Sequence, residues 1–394
     1  MVIRFFQSGR ILKSKRFLVL LFAGIFSYQF ADAQQINISP TSESIENTEN
    51  EYTIYNRWGD AVQLQKFPNT IEFLSAGYTK TGYEQMSIAP GGLMFAFLER
   101  DGNTYNAEVV QDDGEKVHRI EEIDEHDEND PSPKLYVLDN GELFYRYNIS
   151  FFRHYDSNGK QLETIDNTSG SQEGEVVSEL KRLPHSNAVL FYNPRVLYQD
   201  DQVGSRIQYY DGGEEAKEIF SSENRYIEDI SLSANGQLMV LHLKDDASGN
   251  HYAEAIDLDG NSLFSIAYDD FEPLELTVSK DGRYLTSRGS GRVMTHDMHT
   301  GESKGSTSLR QSTLAANYSA ERNQILILTG SHNESNYSLS NLEFRVVDVM
   351  ERSIDSIEIE GNYFWNQLLP ITIDAKSSNE FRISGINRNL DVVL

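Results

Sequence analysis

Ser231-Leu-Ser-Ala-Asn-Gly236-Gln-Leu-Met-Val-Leu-His-Leu243 decides the fold, because close relatives of it recur along the chain at a near-constant interval. It reads as a strand, a tight turn and a second strand. Ser231, Leu232 and Ser233 alternate as a half-buried strand does, Asn235-Gly236 supplies the positive backbone dihedrals that a two-residue hairpin needs, and Leu238 to Leu243 resumes as an apolar run. One such hairpin cannot bury its own apolar face, so its repetition predicts what covers it.

The same turn recurs at Gly92, Gly141 and Gly282, with degenerate copies at Ser186, Asn323 and Ser377. Successive intervals are 49, 45, 50, 46, 41 and 54 residues, a mean of 47.5, which matches the length of a four-stranded propeller blade. Behind six of these anchors lies a second hairpin that supplies two outer strands: Val109–Val117, Arg153–Leu162, Ile207–Gly213, Ala255–Leu263, Met294–Gly301 and Arg345–Arg352. The seventh pair, Leu369 to Ser384, is followed only by Asn387 to Leu394. An orphan hairpin, Tyr52–Tyr55 with Ala61–Leu64, stands at the front with no pair of its own. The expectation is therefore an all-β, seven-bladed β-propeller over residues 51–394, closed by an N-terminal strand or hairpin pairing with the C-terminal blade, since an open ring leaves sheet edges unpaired.

At these turns the chain resembles the bacterial WD40-like repeats of TolB-type and related exported β-propeller proteins. Ser279-Lys-Asp-Gly282 is close to their S-x-D-G inner turn, and Tyr155-Asp-Ser-Asn-Gly-Lys160 to their outer one. The resemblance spans about residues 52 to 394 and implies the fold. It implies no catalytic residue, because propellers carry many unrelated functions.

Residues 1–33 follow a different logic. Arg4, Arg10, Lys13, Lys15 and Arg16 form a basic region, Phe17 to Phe30 an apolar one, and Ala31-Asp-Ala33 a small-residue cleavage site. The expectation is a signal peptide, then a flexible polar arm over 34–50, in a bacterial protein that is periplasmic or extracellular. The apolar run is shorter than the roughly 20 residues that span a bilayer, so no membrane insertion is expected after cleavage. With no Cys, neither a disulfide nor a thiol-linked lipid is available. The whole chain carries a net charge of −27; losing residues 1–33, with five basic groups and one acid, takes it to −31. Such a surface repels nucleic acid and anionic lipid.

Most candidate chemistry reduces to turns. Asp257-Leu-Asp-Gly260 resembles the start of a calcium loop but lacks the acidic ligand that should close it. His296-Asp-Met-His299 and Gly289-Ser-Gly291 read as hairpin tips. The acidic run Glu121–Asp130 reads as a solvated connecting loop, where clustered carboxylates could hold Ca²⁺ weakly; no other cofactor is expected. Counting back seven positions from each anchor gives Gln85, Lys134, Glu179, Asp229, Glu275, Ala316 and Pro370, and one position further on gives mostly Met, Leu and Ile. This alternation predicts a polar ring over an apolar layer, with Gln85, Lys134, Glu179, Asp229 and Glu275 as ligand-binding residues at the channel mouth. The functional expectation is a monomeric, non-enzymatic module that engages a protein or glycan outside the cytoplasm. The rival is a carbohydrate-active hydrolase or lyase using Glu179, Asp229 or Glu275 as acid and base. A quinone-dependent dehydrogenase fits less well, because its Trp-rich repeat pattern is missing.

Overall fold

In the computed structural model the described residues run from 51 to 393, less the stretches 56–60, 68–69, 126–132, 168–176, 198–201, 334–336, 351–352, 366–370, 378–379 and 387–389 and a few single positions. The predicted signal peptide and arm lie outside them. Every regular element among them is a strand, and the strands form eight successive antiparallel sheets covering residues 51–81, 83–125, 134–166, 179–222, 225–268, 273–308, 313–364 and 372–393. Alternation of apolar and polar residues along these strands explains why each sheet has a face to bury.

The anchor turns form where the sequence places them. Gly92, Gly141, Gly236 and Gly282 all have positive φ, between 67° and 86°, and so does Asn323, at 56°. In the Ser186 copy His185 takes that role, at φ 55°. Asn, Asp and His are the non-glycine residues that enter this region at least cost. At Gly236 close approach adds to the dihedral requirement, because a Cβ there would stand 3.0 Å from the Pro184 carbonyl oxygen in the preceding sheet. All six predicted outer hairpins are present as the third and fourth strands of their sheets.

Two parts of the predicted architecture are corrected. The hairpin at residues 51–67 forms with the expected pairing, Tyr52 opposite Leu64, but among the described residues it does not pair with the C-terminal sheet. Its second strand, Ala61–Phe67, pairs onward with Thr70–Phe73, which pairs with Tyr78–Thr81, so the front of the chain builds a complete sheet of its own. Strands of four residues joined by turns unlike the repeated one gave no period to read, yet Leu64, Ile71 and Phe73 are fully buried. Among the described residues the count is therefore eight sheets, where seven were expected. The last of them has three described strands, Thr372–Ala375, Glu380–Ser384 and Leu390–Val393, paired in that order, and Ile386 bridges to Trp365 beside the seventh sheet.

Packing runs from each sheet to the next. Seven apolar clusters sit between consecutive sheets, from Phe73 against Phe95, with ring centroids 4.9 Å apart, through Phe152 against Phe191 at 5.0 Å, to Phe344 against Phe381 at 5.0 Å. Each fully buried side chain of this size stabilises the fold by about 2 to 3 kcal/mol, and an edge-to-face pair adds about 1.

Among the described residues, the first strands of successive sheets lie side by side at several places, and in four sheets a polar side chain of the first strand bonds the backbone of the first strand in the next sheet. Ser87 Oγ accepts from the Val137 amide at 3.2 Å, Lys181 Nζ donates to the Ile230 carbonyl, Ser231 Oγ to the Leu276 carbonyl, and Asn317 Nδ2 to the Ile373 carbonyl at 2.9 Å. These links answer the hydrogen-bond demand of buried edges and register the sheets against one another.

Candidate functional site

Five of the seven positions predicted by counting back from the anchors occupy equivalent places on these first strands; Ala316 falls one residue beyond the equivalent Ala315, and Pro370 lies outside the described residues. Gln85 stands opposite Leu98, Lys134 opposite Arg146, Glu179 opposite Tyr192, Asp229 opposite His242, Glu275 opposite Arg288 and Ala316 opposite Ile327. In three sheets a bulge sits immediately before the position, with Glu84, Glu228 or Leu274 as the extra residue; in the seventh sheet the corresponding bulge, at Leu314, precedes Ala315. A bulge increases local twist and re-aims the next side chain, here at the start of the central strand.

The five do not form one ring. Gln85, Lys134 and Glu179 are tied into contacts between sheets. Gln85 Nε2 donates to the Pro133 carbonyl. Lys134 Nζ lies 2.9 Å from both oxygens of Glu179, Arg146 Nη1 lies 2.9 Å from Oε1, and the Tyr136 hydroxyl donates to Oε2 at 3.2 Å. Burial pushes the Glu179 carboxyl up, but the hydrogen bonds and charges of Lys134 and Arg146 outweigh it and hold the group below its ordinary value. Burial, then the Glu179 charge, pushes the Tyr136 phenol up. Arg182, which sequence reasoning missed, reaches back across two sheets: Nη1 donates to Ser87 Oγ at 2.9 Å, the Ile88 carbonyl at 2.7 Å and the Val137 carbonyl at 2.9 Å. Burial lowers this guanidinium to about 10, against the opposing pull of Tyr136 and Asp139. Only the adjacency Lys181-Arg182, two cations on one inner strand, could have signalled it.

Asp229 and Glu275 face open space instead. With Ala316 they line a cavity of about 350 Å³ walled by the first strands of the fourth to eighth sheets. Lys181 Nζ stands 3.6 Å from Asp229 Oδ1, whose side chain remains 47% exposed, and Arg288 Nε bonds Glu275 Oε2. Half of the lining is aliphatic, including Ile230, Leu276, Ile371 and Ile373; Ser231, Thr277, Asn317 and Thr372 supply hydroxyl and amide groups, and none of the lining residues is aromatic. Behind Asp229, the buried His242 shares a hydrogen bond with buried His251, Nε2 to Nδ1 at 2.9 Å. Burial, then the neighbouring His251, takes His242 down to about 4, and burial with the Lys244 charge lowers His251. The pair spans a diagonal of one hairpin, since His251 sits opposite Lys244, so a separation of nine residues was its only trace in the sequence.

The remaining motifs resolve as turns. Asp257 Oδ1 accepts from the Asp259 and Asn261 amides, at 2.9 and 2.8 Å, and Oδ2 from Asn261 Nδ2 at 2.9 Å, which fixes a hairpin tip. Ser290-Gly291 turns between two strands, with Gly291 at φ 79°. His296 is buried in the strand Arg292–Asp297 and His299 follows in the turn. The acidic run is not a loop at its start: Glu121 to Glu125 belong to the strand Lys116–Glu125, where apolar Ile120 and Ile123 bury one face and leave the carboxylates on the other.

No protein-family model matches the chain, and no curated protein does. Among solved structures it is similar to the Dos1 propeller, with a TM-score of 0.51 at 12% identity over 90% of this chain and 95% of that one. It is also similar to BamB from Moraxella catarrhalis (0.49, 10%, 90% of this chain and 99% of that one) and to a eukaryotic initiation factor (0.49, 11%, 90% of each). The Dos1 likeness, with the succession of four-stranded antiparallel sheets, shows the fold: the chain is a β-propeller.

Proposed function

We propose that this β-propeller is a non-enzymatic binding module that engages a protein or a glycan outside the cytoplasm through its loops and channel mouth. The observation that carries this reading is the cavity of about 350 Å³ into which Asp229 and Glu275 bring charge from neighbouring inner strands. It is at the small end of the range for ligand pockets, and convergent polar groups on a mostly aliphatic wall are the usual composition of one. The basic, apolar and A-x-A order of residues 1–33 supports export.

The competing reading, a carbohydrate hydrolase or lyase, draws on the same two acids sharing a cavity. It needs one carboxyl that stays protonated near neutral pH to act as the acid. Glu179, held ionised by two cations, lies outside the cavity lining, and Glu275 is bonded to Arg288.

Thr372→Arg places a long cation at the half-buried cavity wall without touching the apolar clusters. Exported-fraction proteins and an oligosaccharide panel are offered to immobilised wild type and to this variant. A ligand retained by the wild type and lost by the variant is the expected result. If both proteins retain the same set, the cavity is not the binding site; release of reducing ends that disappears in Asp229→Asn would establish the enzyme instead.

A further inference from the structure

Equivalent positions on neighbouring inner strands meet directly where their charges are opposite: Lys134 and Glu179, one sheet apart, are bonded at 2.9 Å. Asp229 and Glu275 are related in the same way, one sheet apart and each just past a bulge, but both are acids. Each has a single cation beside it, and Arg288 Nε bonds only one oxygen of Glu275, Oε2. Lys181 commits a hydrogen bond to the Ile230 carbonyl and stands 3.6 Å from Asp229, while Arg288 approaches Glu275 from the second strand and also donates to the Thr313 carbonyl at 2.8 Å. A carboxylate has about four acceptor sites, so both acids keep acceptor capacity on the cavity side.

Three features of the wall select among ligand classes. Its charged residues are two acids and one Lys, in a chain of net charge −27, so cations are drawn in and anions repelled. It has no aromatic ring, so it offers neither a stacking platform for a sugar face nor a cage for a quaternary ammonium. Ile230, Leu276 and Ile371 provide an aliphatic surface of the kind that covers a methylene stem below a charged head.

We infer that the cavity seats a primary alkylammonium group, its three N–H donors shared by Asp229 and Glu275 and its methylene stem against Leu276 and Ile371. This rests on the binding-module reading and supplies the chemistry of its ligand. A lysine side chain of a protein partner and a free diamine carry the same group.

The test is calorimetric titration of the full chain, at low and high salt, with Nα-acetyl-lysine methylamide, with 1,5-diaminopentane, with the Nε-acetylated lysine as neutral control and with a neutral oligosaccharide. Both amines should bind, more weakly at high salt, and the acetylated probe should not. Asp229→Asn and Glu275→Gln should each weaken the amines about tenfold, the double variant about a hundredfold, with melting temperatures unchanged. Asp259→Asn, at an exposed turn, should leave affinity as it is and so excludes a general charge effect. Tighter binding of the lysine probe than of the diamine assigns the site to a protein partner, and the reverse to a free diamine. Silence from both amines, or binding indifferent to both substitutions, overturns the inference. An oligosaccharide that binds the wild type and not Thr372→Arg, with the amines silent, overturns it while leaving the binding-module reading intact.

Discussion

Glu179 and Asp229 hold the same position on successive inner strands and live in different surroundings. Glu179 accepts from two cations and a phenol at 2.9 to 3.2 Å and is mostly buried. Asp229 has one cation at 3.6 Å and a neutral His pair at its back, and nearly half of its side chain is open. One carboxylate registers sheets against each other; the other stays nearly half exposed at the cavity wall. A central position in a propeller is thus assigned its role by the neighbouring sheet and not by its own residue type.

The largest expected effect sharpens the open side. Buried His242, with His251, stays neutral in the folded chain, facing Glu228, Asp229, Lys244 and Glu272. Its folded pKa of about 4 lies below the ordinary 6.5, so the unfolded chain binds more protons between the two. Stability is complete above pH 6.5 and falls as the pH drops towards 4, by about 3 kcal/mol from this group. Urea denaturation across that window should show the loss, and His242→Gln should flatten it. An equally steep decline in the variant would place the titrating group elsewhere.

Breaking the closed side comes next. Glu179→Leu leaves Lys134 and the buried Arg146 without their carboxylate and should cost about 2 kcal/mol in the same assay, the Glu179 side chain being 23% exposed and the pair partly screened. Ser87→Ala removes the acceptor shared by Arg182 and the Val137 amide and should cost about 1 kcal/mol. Smallest is Asp229→Asn, expected to change stability by less than about 0.5 kcal/mol, because its ion pair is long and solvated. If Asp229→Asn destabilises as much as Glu179→Leu, the contrast between the two halves fails.

Much of the fold was legible because its turns demand particular residues. Positive φ at Gly92, Gly141, Gly236, Gly282 and Asn323 is a local requirement, and it left a period in the sequence. The first sheet left none. Its strands Thr70–Phe73 and Tyr78–Thr81 meet at Ala76-Gly77, and short strands joined by a different turn carry too few residues for alternation to register. The expected pairing of the Tyr52 hairpin with the C-terminal sheet failed for that reason, since the partner strands that complete its sheet were not visible. In the site, the register of Gln85, Lys134, Glu179, Asp229 and Glu275 was readable by counting, whereas the reach of Arg182 over two sheets and the pairing of His242 with His251 depended on distances that spacing does not encode.

The sequence by itself determined the units: hairpins whose turns need glycine or asparagine, strands with one apolar face, and a polar position that recurs at the start of five inner strands. Tertiary structure alone decided how many sheets stand side by side and which polar residue finds a partner. Backbone dihedrals and side-chain alternation act within a few residues, but whether a carboxylate is neutralised or left facing a cavity depends on what the adjacent sheet, some 45 to 50 residues away, brings within 3 Å of it.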